Sequence, residues 1–138
     1  MNLTDPFDPS IQLLSKTLDL RARNQQVIAS NIANAETPGY APARLHFEEE
    51  LRNAVGAGSG LRLATSHANH IPPGQGDLAS VQGRIIFEPD TTGIGDENGV
   101  NVDSEMMALS ENELLYESAA QLLKKKLGMI KFVISGGQ

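Results

Sequence analysis

The chain has 138 residues, about one domain, with 17 acidic and 11 basic side chains for a net charge of -6, 4% aromatic residues and no cysteine. Basic residues are scattered apart from Lys124 to Lys126, which speaks against nucleic acid as a partner; the aromatic poverty speaks against a large stacking pocket, and the lack of cysteine removes disulfides, thiolate catalysis and cysteine-ligated metals. No stretch approaches the roughly 18 uninterrupted apolar residues of a membrane span, and the opening Met-Asn-Leu-Thr-Asp-Pro-Phe-Asp-Pro has neither a basic leader nor a continuous apolar run, so no cleaved secretory signal is expected.

Residues 1–8 read as a flexible start. The first helix is predicted to begin at Asp8-Pro9, where Asp caps the free amides and Pro, at the first helical position, lacks a donor that would go unused there. Ile11, Leu14, Leu18, Ile28 and Ile32 follow a four-three spacing, with Arg21 and Gln25 occupying the register between them and Leu13, Leu20 and Val27 forming an adjacent line. The helix should stop near Asn34, a residue that tolerates the left-handed conformation of a helix end, before Thr37-Pro38-Gly39 forces a turn. That gives about 26 residues, or roughly 39 Å.

Phe47 and Leu51 beside Glu48, Glu49 and Glu50 suit a short helical turn that packs on one side. Residues 9–53 therefore form one unit: helix, turn and short following element. From 54 to 100 glycine and proline recur, long helices are excluded, and an irregular, partly disordered middle is expected. Two apolar runs there, Leu61-Arg62-Leu63-Ala64 and Arg84-Ile85-Ile86-Phe87, suit a small β-ribbon at most.

The last unit, 101–138, is a long helix opening at Asp103 as cap, with Lys124, Lys125, Lys126 and Lys131 toward its end as the helix dipole favours. Val102, Met106, Leu109, Tyr116, Ala120, Leu123, Leu127, Ile130 and Ile134 keep a four-three rhythm interrupted by Glu113, the pattern of a coiled-coil seam. So narrow a stripe, sustained for about nine turns, must be covered by something else. The fold class is mainly α: two long terminal helices in a coiled-coil-like hairpin around an irregular middle.

Candidate chemistry is sparse. His67 and His70 lie three apart but in Pro-rich extended sequence with no acid pair to complete a metal site. None of the serines sits in a nucleophile elbow, Gly56, Gly58 and Gly60 lack the Gly-Lys-Ser/Thr of a phosphate loop, and the clusters Glu48 to Glu50 and Glu111, Glu113, Glu117 read as solvated helix faces. No catalytic residue, metal site or cofactor is assigned, and an enzyme, such as a cell-wall hydrolase, is not expected.

The segment Asn31-Ile-Ala-Asn-Ala-Glu-Thr-Pro-Gly-Tyr40 is different, because a helix stop alone does not require the whole string. With Asn31, Asn34, Thr37, Pro38, Gly39 and Tyr40, it resembles the signature of the bacterial flagellar axial family of rod, hook and hook-associated proteins. Leu20 to Ser30 before it, Phe47 to Leu51 and His70-Ile-Pro72 after it, Asn101-Val-Asp103, and Glu111 to Tyr116 are also similar, and the short length suits a proximal-rod subunit. The resemblance implies a structural protein that stacks into a helical tube with its terminal helices inside, enclosing an export channel and transmitting torque. The implied partners are copies of itself, other rod subunits, the rod-to-ring adaptor and the flagellar export apparatus, in a periplasm-spanning basal body. On that reading Ile11, Leu14, Leu18, Ile28, Ile32, Met106, Leu109, Tyr116, Leu123, Leu127 and Ile130 form the assembly seam, part of it disordered until neighbours cover it. The alternative is an all-helical adaptor or export chaperone that binds a flagellar client.

Overall fold

Two long helices lying antiparallel dominate a computed structural model that describes residues 9–56, 78–89, 95 and 97–136. The order is α1 (Pro9–Ala33), β1 (Ala43–His46), α2 (Glu48–Gly56), a single 3-10 turn at Leu78–Ser80, β2 (Arg84–Phe87) and α3 (Val102–Ile134). The mainly helical class and the terminal hairpin are as the sequence predicts. Residues 1–8, the run Leu61 to Ala64, His67, His70, Gly58 and Gly60 lie outside the described residues.

α1 begins at Pro9, as its missing amide donor allows, and ends at Ala33. Its stop works differently from the expectation. Asn34 does not adopt the left-handed conformation; its side-chain Nδ2 donates back to the Ser30 carbonyl at 2.8 Å, and the positive φ falls on Gly39, at +70°. Pro38 and Gly39 thus occupy the two central positions of a turn closed by Tyr40 N–H donating to Thr37 O at 3.2 Å, and the second of those positions needs glycine. α3 also opens two residues earlier than expected: its cap is Asn101, in extended backbone, whose Oδ1 accepts from Ser104 N–H at 3.1 Å, while Asp103 lies within the first turn.

β1 and β2 pair antiparallel, Ala43 opposite Phe87 and His46 opposite Arg84. The strand Arg84–Phe87 therefore has as its partner a segment whose sequence carries little apolar signal, directly after the Tyr40 turn. The small core collects Leu20 of α1, Leu45 of β1, Ala54 of α2, and Phe47 and Val81 from the connecting chain, with Val27, Leu51 and Leu78 packed against them. Phe47 is 2% exposed, and burying a side chain of that size stabilises by about 2–3 kcal/mol. Gly83 makes this packing possible: at φ +69° a Cβ there would stand 3.0 Å from Phe47 Cβ. Arg21 spans the same junction, its guanidinium carbon 4.8 Å from the Phe47 ring centroid and Nη2 3.2 Å from Glu48 Oε1.

α1 thus has two working faces. The line Leu20–Val27 serves the small core, and a second face meets α3. The stretch 54–100 contributes Ala54, Val81 and β2 to the structure.

Candidate functional site

The signature segment ties α1, β1 and α3 together through Asn31, which has no exposed surface. Its amide treats the peptide of Ala43 as a neighbouring strand would: Nδ2 donates to Ala43 O at 2.8 Å and Oδ1 accepts from Ala43 N–H at 2.9 Å. The second hydrogen on Nδ2 goes to Glu105 Oε2 of α3 at 3.0 Å, and Oδ1 also accepts from the Tyr40 hydroxyl at 3.3 Å. All hydrogen-bonding capacity of this amide is used, which is what makes its complete burial tolerable.

Glu105, 1% exposed, is held from the other side by Arg44 of β1, whose Nη2 lies 2.6 Å from Oε1. That contact is electrostatic, since no N–H of Arg44 is directed at Oε1 in hydrogen-bond geometry. A lone buried carboxylate between helices would cost several kcal/mol; a cation and an amide together offset that cost.

One heptad along, Asn24 Nδ2 donates to Asn112 Oδ1 at 3.0 Å, and Asn112 Nδ2 donates to the Arg21 carbonyl at 2.9 Å. Asn24 and Asn31 on α1 thus face Asn112 and Glu105 on α3, a polar ladder with the helices running in opposite directions. Continuing that register sets Ala119, which is buried, opposite Thr17, and Leu127 opposite Pro9 at the start of α1. α3, 33 residues against 25, therefore runs past the described end of α1 by about two turns.

The rest of the signature forms a strap at the same end. Asn98 Nδ2 donates to Asn34 O at 2.9 Å and to Thr37 O at 2.7 Å, Gly99 N–H donates to Tyr40 O at 3.1 Å, and Thr37 Oγ1 donates to Asn34 Oδ1 at 3.3 Å. Pro38 and Gly39 are exposed at the tip of the turn. The six signature residues thus orient the entry of α3 relative to the exit of α1.

The residues of the expected seam are distributed unevenly. Ile11 and Ile28 are buried, while Leu14, Leu18, Ile32, Leu109, Tyr116 and Leu123 are half-buried. Met106, Leu127 and Ile130 are exposed, and Met107, Leu114, Leu122, Met129, Phe132, Val133 and Ile134 join them on other sides of α3. The α3 face that actually meets α1 is centred on Glu105, Asn112 and Ala119, which a search for apolar rhythm passes over. Their seven-residue spacing, matched by Asn24 and Asn31, is the signal that would have found them. Glu113, the apparent interruption, is exposed.

Among the described residues no group of three or more His, Asp or Glu side chains is arranged to hold a metal, and no helix is long and apolar enough to cross a membrane. A family model described as "Flagella basal body rod protein" matches residues 11–40, from the first buried residue of α1 to the end of the turn. Curated relatives match nearly end to end. The Flagellar basal body rod protein FlgB of Salmonella typhimurium is 30% identical over 139 residues, covering 98% of this chain and 99% of its own length. The protein of the same name from Escherichia coli is 32% identical over 141 residues, covering 97% and 99%, and that from Cereibacter sphaeroides is 30% identical over 130 residues, covering 94% and 97%.

Proposed function

The chain belongs to the FlgB family of flagellar basal body rod proteins and is a structural subunit of the rod, and from that premise we propose how it is built in. It stands in the proximal rod as one element of a helical tube. The α1–α3 hairpin forms the inner wall around the export channel, and β1, β2 and α2 face outward. Its contacts are copies of itself, other rod subunits and the adaptor that joins rod to ring; the flagellar export apparatus delivers it into the part of the basal body that crosses the periplasm. It carries torque and catalyses nothing.

The observation that carries this reading is the apolar surface left on α3: Met107 is 70% exposed, Leu114 65%, Leu122 57% and Val133 76%. Large apolar side chains left in water invite a covering partner, and an open helical assembly covers them by heterologous contacts that do not close into a small ring. The buried carboxylate supports the same reading, because Glu105 is tied between Asn31 and Arg44 and offers no free group to a substrate.

Cryo-electron microscopy of isolated basal bodies carrying this chain tests the proposal directly: density for it in the proximal rod, terminal helices toward the lumen, is expected. Leu114→Asp and Leu122→Asp change exposed side chains, so the soluble chain should keep its helicity while incorporation into rods and motility are lost. A chain that instead forms a discrete soluble complex with one flagellar client and never enters basal bodies is an adaptor or chaperone.

A further inference from the structure

α3 is divided by charge. Asp103, Glu105, Glu111, Glu113 and Glu117 occupy its first half without a basic residue, and Lys124, Lys125, Lys126 and Lys131 occupy its second half without an acid. The helix dipole accounts for Asp103 and Lys131, but its influence fades within the terminal turns, and Glu113, Glu117 and Lys124 lie well inside. Four of these charges share one side of the helix. Glu113, Glu117, Lys124 and Lys131 are spaced by four, seven and seven residues, so they stand in a single row, and all four are exposed.

Among the described residues nothing answers them. Among the described residues the ion pairs are Arg21–Glu48, Arg44–Glu88 and Arg44–Glu105, and none involves this row. Glu113 and Glu117, one turn apart, repel each other mildly, and Glu117 is two turns from Lys124, too far for a side-chain pair within the helix. Exposed apolar side chains accompany the row, Met106 one heptad before Glu113 and Leu127 between the two lysines.

We infer that this row is a head-to-tail contact between two copies of the chain: the lysine half of one α3 lies against the acidic half of the next, the helices parallel and displaced along their axes. Setting Lys124 against Glu113 and Lys131 against Glu117 of the neighbour requires an offset of eleven to fourteen residues, roughly 17–21 Å at 1.5 Å per residue. The contact uses different patches on the two copies, so it propagates rather than closing on itself. The inference rests on the rod-subunit reading and adds to it the identity of one neighbour, its direction and the residues that select it.

Charge reversal of the purified full chain, followed by sedimentation at low and high salt, provides the test. Reversing the tail (Lys124→Glu, Lys125→Glu, Lys131→Glu) or the head (Glu111→Lys, Glu113→Lys, Glu117→Lys) should weaken self-association about tenfold or more and remove its dependence on salt. Mixing the two reversed variants, or combining all six changes in one chain, should restore it. Circular dichroism of each variant reports whether the monomer fold is kept, and restoration in the mixture or in the six-fold variant is itself a result that misfolded chains cannot give. Direction is read from Glu113→Cys with Lys124→Cys in this cysteine-free chain: oxidation should yield a ladder of trimers and longer species. Crosslinking that stops at dimers, or association that is indifferent to the reversals, overturns the inference. The outcomes separate the two levels. If the reversed chains still enter basal bodies, the rod reading stands and this contact falls; if the unaltered chain never enters them, the rod reading itself falls.

Discussion

Asn31 Nδ2 donates to Glu105 Oε2 at 3.0 Å, joining side chains 74 positions apart at one end of a helix interface where apolar packing would be the ordinary choice. Because Asn31 also occupies both peptide groups of Ala43, the loss of one side chain leaves three buried partners unanswered.

Asn31→Ala should therefore cost about 3–5 kcal/mol, the range for removing one member of a buried charged network. Equilibrium urea unfolding followed by circular dichroism measures it. Replacing the ion pair as a whole, Glu105→Leu with Arg44→Met, should cost far less, because no charge is then stranded. A loss below about 1 kcal/mol for Asn31→Ala would mean the network contributes little.

Gly83→Ala should destabilise by about 1–3 kcal/mol, since the backbone is at φ +69°, which L side chains rarely adopt, and the added methyl would press on Phe47 Cβ at 3.0 Å and Leu45 Cδ1 at 3.1 Å. The thermal midpoint should fall, and hydrogen exchange at β1 and β2 should quicken more than in α3. Equal acceleration in all three elements would show that the strand pair is not a local unit.

Removing the cap of α3 by Asn101→Ala should cost about 1 kcal/mol and speed amide exchange at Ser104, whose N–H it holds at 3.1 Å. Asp103→Ala, within the first turn, should cost only a few tenths of a kcal/mol through its interaction with the dipole. The reverse ranking would restore Asp103 to the capping role that sequence reading assigns it.

The helices were legible because their ends are written in single residues: Pro9 at a start, Thr37-Pro38-Gly39 beyond a stop, and a sustained apolar rhythm over α3. The choice of face was not. Many apolar side chains surround α3, and the face that α1 covers is selected by Asn24, Asn31, Glu105 and Asn112, whose polarity disguises their burial. β1 was hidden for a related reason. Ala43-Arg44-Leu45-His46 carries one strongly apolar residue, and its strand conformation depends on β2 at one edge and the Asn31 amide at the other, contacts made with residues far along the chain or on another element. The flagellar signature was readable as a string of residues, but its physical task, holding the start of α3 through Asn98 and Glu105, needs coordinates to be seen.

By imitating a peptide group, the amide of Asn31 also acts as a guard. A strand whose outer N–H and C=O are free is a template for any passing extended chain, and β1 would present such a template at Ala43. With Asn31 in place that site is already taken from within the molecule, so a subunit awaiting its neighbours is protected from joining the wrong ones through a stray sheet.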